Sequence, residues 1–234
     1  MKKVLITGGS RGIGKECVRE FKNNGYKVYF TYNNSEDEAF RLADETDTVA
    51  IKCNIASIDE INEAVKKTDG IDILINNAGI SQIKMVQDIT PKDWDNMFNI
   101  NIRGMFFMTQ AVIPNMIHNK YGRIINISSM WGEVGASCEV HYSASKAAVI
   151  GFTKALAKEL APSEITVNCI SPGTIDTDMN RHLTKEEIDE LCEETPVGRI
   201  GKASERSRTA FYLSDKDSGF ITGAVIPFNG GMVL

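Results

Sequence analysis

Val4-Leu5-Ile6-Thr7-Gly8-Gly9-Ser10-Arg11-Gly12-Ile13-Gly14 is the stretch whose reading decides the fold of this chain. Three apolar residues stop at a glycine-rich loop, and Cys17, Val18 and Phe21 then recur at helical spacing, so the segment reads as strand, glycine turn, helix. Glycine admits backbone conformations closed to other residues, and it lets a pyrophosphate approach the N–H groups at the positive end of the helix. The spacing is G-x-x-x-G-x-G on Gly8, Gly12 and Gly14, not the commoner G-x-G-x-x-G. A plain tight turn between strand and helix would use the same residues, so the loop nominates a dinucleotide site and needs support from the rest of the chain.

Outward from that unit, apolar runs alternate with helical patterns. Strands are expected at Lys27 to Tyr32, Thr48 to Cys53, Ile71 to Ile75, Arg123 to Ile127, Ile165 to Ile170 and Ala224 to Pro227. Runs that are apolar on both faces, set between helices, imply a parallel sheet of about seven strands, doubly wound in an α/β fold of Rossmann type. Helix starts are marked by Ser35 with Glu38, Ser57 with Glu60, and Thr184 with Glu187 as capping boxes, and by Thr90 as N-cap before Pro91. The helix from Thr90 is expected to run through Trp94, Met97 and Phe98 toward Ile117, and His141 to Leu160 forms another long one. The charged, weakly apolar stretch 174–199 reads as a mobile lid over a substrate pocket, with Met179, Leu183, Ile188 and Leu191 facing that pocket or packing within the helix.

The loop after the second strand chooses between nicotinamide dinucleotides. An acidic residue there would hold a ribose 2′-hydroxyl. This chain carries Tyr32-Asn33-Asn34-Ser35 instead, and Arg11 in the glycine loop is available to pair with a 2′-phosphate, which favours NADP(H). The acids Glu36, Asp37 and Glu38 fall in a first helical turn, where they suit the helix dipole.

Tyr142-Ser143-Ala144-Ser145-Lys146 places a phenol and an ammonium one turn apart on one helix face. A nearby cation lowers the pKa of a phenol, so Lys146 is expected to make Tyr142 acidic enough for proton transfer near neutrality. Ser128-Ser129 stands at the C-terminal end of the fifth strand, where ligands bind in open α/β sheets.

Composition narrows the classes. The 234 residues suit one domain, 1–234, long enough to bury a core without staples. A net charge of -5, a pI near 5.3 and no basic block give no sign of a nucleic-acid or membrane partner. Cys17, Cys53, Cys138, Cys169 and Cys192 are odd in number and lack metal-ligand spacing, as do His118, His141 and His182, so no metal site and reduced thiols are expected. An apolar strand follows Met1-Lys2-Lys3 at once and no long apolar run occurs, which points to a cytoplasmic protein.

Taken together, these segments resemble the short-chain dehydrogenase/reductase family over essentially the whole chain. Thr7 to Gly14 is similar to that family's T-G-x-x-x-G-x-G, Asn76-Asn77-Ala78-Gly79 to its N-N-A-G, and Tyr142 to Lys146 to its Y-x-x-x-K. Ser129 lies at the usual interval ahead of Tyr142, Asn101 sits where the fourth catalytic residue falls, and Pro172-Gly173, with Ile175 and Thr177 following, resembles the P-G-x-x-x-T of the nicotinamide side. The resemblance implies an oxidoreductase in which Tyr142 is the general acid, Ser129 bonds the carbonyl oxygen, Lys146 holds the nicotinamide ribose and Asn101 positions a water. It also implies that Gly8, Ser10, Arg11, Gly12, Ile13 and Gly14 hold the cofactor. Tyr32, Asn33, Asn34 and Ser35 would receive its adenosine end, and Asn54 and Ile55 its adenine. Asn76, Ala78, Gly79, Tyr142, Lys146, Pro172, Gly173, Ile175 and Thr177 complete the set. Asn54 stands where the family usually has Asp, and Asn229-Gly230-Gly231 replaces D-G-G at a position read as structural.

Within the family the chain is most similar to bacterial 3-oxoacyl-[acyl-carrier-protein] reductases of fatty acid biosynthesis, which implies a 3-oxoacyl thioester substrate, an acyl carrier protein as partner, and a homotetramer or homodimer. Of the two arginines by which those enzymes dock the carrier beside the active-site mouth, the first falls on Lys120 and the second on Ser163 beside Glu164, where the charge is lost. A steroid, a sugar or another small alcohol or ketone is the alternative substrate class, and a cofactor-sensing protein without catalysis is the alternative function. Trp131 is expected either in the pocket or in the core, and Met105, Phe106, Phe107 and Met108 in packing within or between subunits.

Overall fold

A computed structural model describes residues 1–177, 180 and 183–233. Seven parallel strands form one sheet: β1 (Lys3–Ile6), β2 (Lys27–Tyr32), β3 (Val49–Lys52), β4 (Ile73–Asn76), β5 (Gly122–Ile127), β6 (Ile165–Pro172) and β9 (Val225–Phe228). Their spatial order is β3-β2-β1-β4-β5-β6-β9. Two further strands, β7 (Ile175–Asp176) and β8 (Gly201–Lys202), pair only with each other. Every strand of the main sheet but the two at its edges is covered on both faces, which is why β1, β4, β5 and β6 consist almost wholly of buried residues.

One face packs on α1 (Gly12–Asn23), α2 (Glu36–Thr46) and α9 (Ala203–Ser214) through Phe21, Phe30, Leu42 and Leu213. The other packs on α3 (Ile58–Lys66), α5 (Met105–Asn119) and α7 (Val140–Leu160) through Ile61, Met108, Val112 and Leu160. Two shorter helices, α4 (Pro91–Phe98) and α6 (Trp131–Val134), and the outlying α8 (Lys185–Glu194) complete the set. The doubly wound α/β sheet expected from the alternation is therefore present. Among the described residues no helix is long and apolar enough to cross a membrane.

Several helix starts are capped by the side chains their sequences indicate. Ser57 caps α3 by accepting from the Glu60 N–H, and full capping boxes close on Thr90 with Asp93 and on Thr184 with Glu187. The box expected at Ser35 does not form: that residue makes no side-chain cap bond, and the neighbouring Glu36 carboxylate accepts from the Tyr32 hydroxyl at 3.0 Å. The long helix from Thr90 is interrupted. Between α4 and α5 residues Asn99–Gly104 form a π-helical turn, a wider coil that recurs where a helix must present a side chain out of register. Asn101 is that side chain, donating to the Ile80 carbonyl at 2.9 Å and accepting from the Ile80 N–H at 2.8 Å.

The segment 174–199 begins with β7, which the Gly201–Lys202 strand ties down, and continues into α8, whose exposed faces carry its charges. Met179 lies outside the described residues, as does His182. Met105 and Met108 are buried inside the chain, whereas Phe106 is exposed.

Lys120 and Ser163 require a correction. They end the helical segments that precede β5 and β6, so they lie at the end of the sheet where those strands start, opposite the edge where Ser129 and Pro172 stand. In one chain they do not flank the mouth of the site, because parallel strands put helix ends and strand ends at opposite poles.

Candidate active site

A cleft of about 660 Å³ runs along the C-terminal edge of the sheet, from Asn33 and Asn34 at one end to Ser129 and Tyr142 at the other. The glycine loop forms its floor beneath α1. Gly8 and Gly12 adopt positive φ of 65° and 50°, and a Cβ at Gly14 would overlap the Gly8 carbonyl oxygen, so the loop can fold this tightly only with hydrogen in those places. Thr7 braces it from behind, its Oγ1 accepting from the N–H groups of Asn77 and Ala78, each at 3.0 Å. Arg11 is the N-cap of α1 and supplies no side-chain cap, so the first N–H groups of that helix are not taken up by a capping oxygen. A glycine cradle leading into a side-chain-uncapped helix N-terminus fits the diphosphate of a dinucleotide.

Most residues named from the sequence border this cleft. Gly8, Ser10, Arg11, Gly12 and Ile13 do so on the loop, Tyr32 to Ser35 and Asn54-Ile55 at the end away from Tyr142, and Ala78-Gly79 in the middle. Pro172, Gly173, Ile175 and Thr177 line the wall beside Ser129, Tyr142 and Lys146, and Trp131 joins them. Asn54 turns its Oδ1 toward the Ala56 N–H at 3.1 Å, leaving that oxygen one further lone pair. Leu183, Ile188 and Leu191 do not line the cleft.

Three named residues stand behind it. Gly14 is buried under the loop it lets close. Asn101 is 2% exposed and reaches the site through Gly79, since a Cβ there would lie 3.2 Å from Asn101 Oδ1 and 3.3 Å from Lys146 Nζ. Asn76 is the correction: it makes no part of the wall, because its Nδ2 donates to Thr109 Oγ1 and to Asn126 Oδ1, both at 2.9 Å, inside the protein. Asn126 in turn donates to Thr153 Oγ1 at 2.9 Å, so a chain of amides and hydroxyls runs along one face of the sheet from α5 over β4 and β5 to α7.

Tyr142 sits in the first turn of α7 at 9% exposure, with Lys146 one turn on at 5% and Ser129 opposite at 7%. The close approach of α6 and α7 sets this geometry. Gly132 lies against Lys146, where a Cβ would come 2.7 Å from its backbone carbon, and Ser128 Oγ donates to the Lys146 carbonyl at 2.8 Å. Ser129 Oγ accepts from the Trp131 N–H at 3.2 Å, which leaves its own proton to donate, and it lines the same cleft as Tyr142. Lys146 Nζ donates to the Ile127 carbonyl at 2.9 Å and lies 5.7 Å from the centroid of the Tyr142 ring.

The electrostatics differ from the expectation. Burial pushes the Tyr142 phenol up to about 12, with the Ser129 hydrogen bond and the Arg206 guanidinium pulling it back and Glu139 adding to the rise. Burial likewise brings Lys146 down to about 8, and Arg206 lowers it further. Lys146, though lowered, is still mostly an ammonium at neutral pH, and the Arg206 guanidinium adds a second positive charge that pulls against the rise of the Tyr142 phenol. At neutral pH Tyr142 is a protonated donor facing the cleft, and an alkoxide is a far stronger base than a phenolate, so proton transfer outward is downhill.

Two contributors escaped the sequence reading. Asn77, not Asn76, borders the cleft, and its Nδ2 donates to the carbonyls of Thr7 and Gly8 at 3.0 and 3.1 Å. Arg206 also borders it, although it is only 1% exposed. The available signal was its register: Arg206, Ala210 and Leu213 share one stripe of α9, and the other two are core.

Known proteins resemble this chain in sequence and in fold. Residues 2–188 match the short chain dehydrogenase family model. The chain is 41% identical to the acetoacetyl-CoA reductase of Shinella zoogloeoides, with 97% of this chain and 96% of that protein aligned. It is 39% identical to the 3-oxoacyl-[acyl-carrier-protein] reductase of Aquifex aeolicus, with 99% and 97% aligned. Among solved structures, a double mutant of a Serratia marcescens short-chain dehydrogenase/reductase superposes with a TM-score of 0.93 at 34% identity, covering 99% of this chain and 97% of that one. The 3-oxoacyl-[acyl-carrier protein] reductase of Brucella melitensis also reaches 0.93, at 32% identity, covering 98% of this chain and 90% of that one. With a glycine cradle at one end of a single cleft and a serine, a tyrosine and a lysine gathered at the other, the chain belongs to the short-chain dehydrogenase/reductase family of oxidoreductases.

Proposed function

We propose that the protein is an NADPH-dependent reductase of 3-oxoacyl thioesters. The observation that carries this reading is the largely buried Tyr142 hydroxyl, gathered with Ser129 and Lys146 in the same cleft as the glycine cradle. The names of the relatives, an acetoacetyl-CoA reductase and 3-oxoacyl-[acyl-carrier-protein] reductases, support the substrate class.

The chemistry a reduced nicotinamide would supply in this cleft, when bound, is the hydride that C3 of the substrate would accept. Tyr142 donates its proton to the oxygen of that carbonyl, a contribution of roughly 10² to 10⁴-fold. Ser129 donates a hydrogen bond to the same oxygen as negative charge gathers on it. Lys146, held by the Ile127 carbonyl, keeps further N–H donors for ribose hydroxyls. Asn101 and Lys146 flank Gly79 and would share a water through which the proton on Tyr142 is replaced. Arg11, exposed and lining the cleft with Tyr32 to Ser35, would pair with the 2′-phosphate.

The position of Lys120 and Ser163 favours a thioester recognised by its acyl end over one recognised through carrier docking within a single chain. A kinetic screen of NADPH and NADH against coenzyme-linked and carrier-linked acetoacetyl thioesters, sugars and steroids tests the assignment. Turnover of thioesters with NADPH, lost in Tyr142→Phe while nucleotide binding persists, is expected. Equal turnover with both nucleotides would remove Arg11 as a discriminator, and activity retained in Tyr142→Phe would remove Tyr142 from the chemistry.

A further inference from the structure

Arg206 is the largest fully buried side chain among the described residues, and its Nε and Nη2 are buried without a hydrogen-bond partner. Among the described ion pairs none involves it. A guanidinium stripped of water with no counter-ion is strongly disfavoured, and proteins keep one where a ligand or partner satisfies it. Its electrostatic neighbours are Cys17, Tyr142 and Cys169, none of them a carboxylate, and burial holds it down at about 10, so it stays charged at neutral pH.

Its place supplies the missing anion. Helix α9 packs along α1, and Arg206 borders the cleft together with Gly12 and Ile13 of the first turn of α1 and Gly173 of the opposite wall. Those first-turn N–H groups lack a side-chain cap, so two sources of positive charge, one from each helix, face the same space. The described charged residues lining the cleft are Arg11, Lys146 and Arg206 against the single carboxylate of Glu139, a balance that draws anions in.

We propose that Arg206 is a cofactor-binding residue, a planar donor that takes the diphosphate of the dinucleotide together with the N-terminus of α1. The fork of the guanidinium matches phosphate oxygens in a way an ammonium does not. This rests on the cleft being a dinucleotide site. It adds to that reading a residue that lies far along the chain from the glycine loop.

The test is equilibrium binding of NADPH and of inorganic pyrophosphate, by calorimetry and thermal shift, to wild type, Arg206→Met and Arg206→Lys. Arg206→Met removes an uncompensated buried charge, so its melting temperature without nucleotide should equal or exceed that of wild type. Its NADPH dissociation constant should rise at least about tenfold, with a smaller salt dependence and no thermal shift in pyrophosphate. Arg206→Lys should recover binding only in part, and it serves as the variant of record if the methionine form does not fold. A dissociation constant within about threefold of wild type in the folded variant overturns the proposal. So does a selective rise in KM for acetoacetyl-CoA over the uncharged ethyl acetoacetate with NADPH binding intact, which would assign Arg206 to an anion on the substrate. Failure of wild type itself to bind NADPH would instead sink the dinucleotide reading.

Discussion

Replacing Asn76 with alanine separates two roles that sequence reading runs together, contact with the cofactor and support of the sheet beneath it. The side chain is 4% exposed and donates twice, to Thr109 Oγ1 and Asn126 Oδ1, both at 2.9 Å and both on residues no more than 1% exposed. Two lost bonds remove about 2 kcal/mol at a net 1 kcal/mol each, and the stranded Asn126 oxygen adds a desolvation penalty of about 1 kcal/mol or more. Against that, Asn76 Oδ1 itself has no partner, so deleting it relieves one buried unsatisfied group. The balance is a loss of about 2 to 3 kcal/mol, which in a chain of this size lowers the melting temperature by roughly 4 to 12 °C. Asn76→Asp keeps the shape and cannot donate, and its charge would face two acceptors, so it should lose at least as much. Thermal melts followed by circular dichroism measure the loss, and fluorescence titration with NADPH well below the transition measures binding. Binding should change by no more than about twofold. A melting temperature that falls by less than about 2 °C, with NADPH bound tenfold or more weakly, would refute the placement of Asn76 inside the protein.

Two further outcomes follow from the same coordinates. Gly132→Ala drives a methyl to 2.7 Å from the Lys146 backbone carbon, so α6 must lift from α7 and carry Ser129 away from Tyr142; kcat should fall on the order of 10²-fold for a displacement near 1 Å, while the NADPH dissociation constant holds, and unchanged kcat would show that α6 does not set the Ser129 position. Because burial raises the Tyr142 phenol to about 12, the neutral form persists as pH rises and phenolate forms only near that value; the absorbance of wild type minus Tyr142→Phe, without nucleotide, should show no phenolate through pH 10, and a transition near neutrality would contradict the assigned burial.

Much of the fold could be read locally because its causes are local. Apolar runs bounded by glycine or proline, and helices with capped starts at Ser57, Thr90 and Thr184, announce themselves within a few residues. One misreading has a distant partner as its cause. The helix through Asn101 widens to a π turn because the backbone of Ile80, on another segment, offers a donor and an acceptor to that side chain.

The candidate site divides the same way. Gly8, Gly12 and Gly14 were legible because backbone conformation is a property of the residue itself, and Tyr142 and Lys146 because a helix fixes their spacing. Which of two adjacent asparagines meets the cleft was decided by Thr109 and Asn126, which claim Asn76 and leave Asn77 to the loop. That a second cation, Arg206, joins Lys146 at the cleft was decided by the packing of α9 beside the sheet, across a separation of 64 residues (206 − 142) from Tyr142. Composition and periodicity determine what each segment becomes, since those forces act over one or two turns; burial and long-range charge depend on every element at once, and only the assembled sheet sets them.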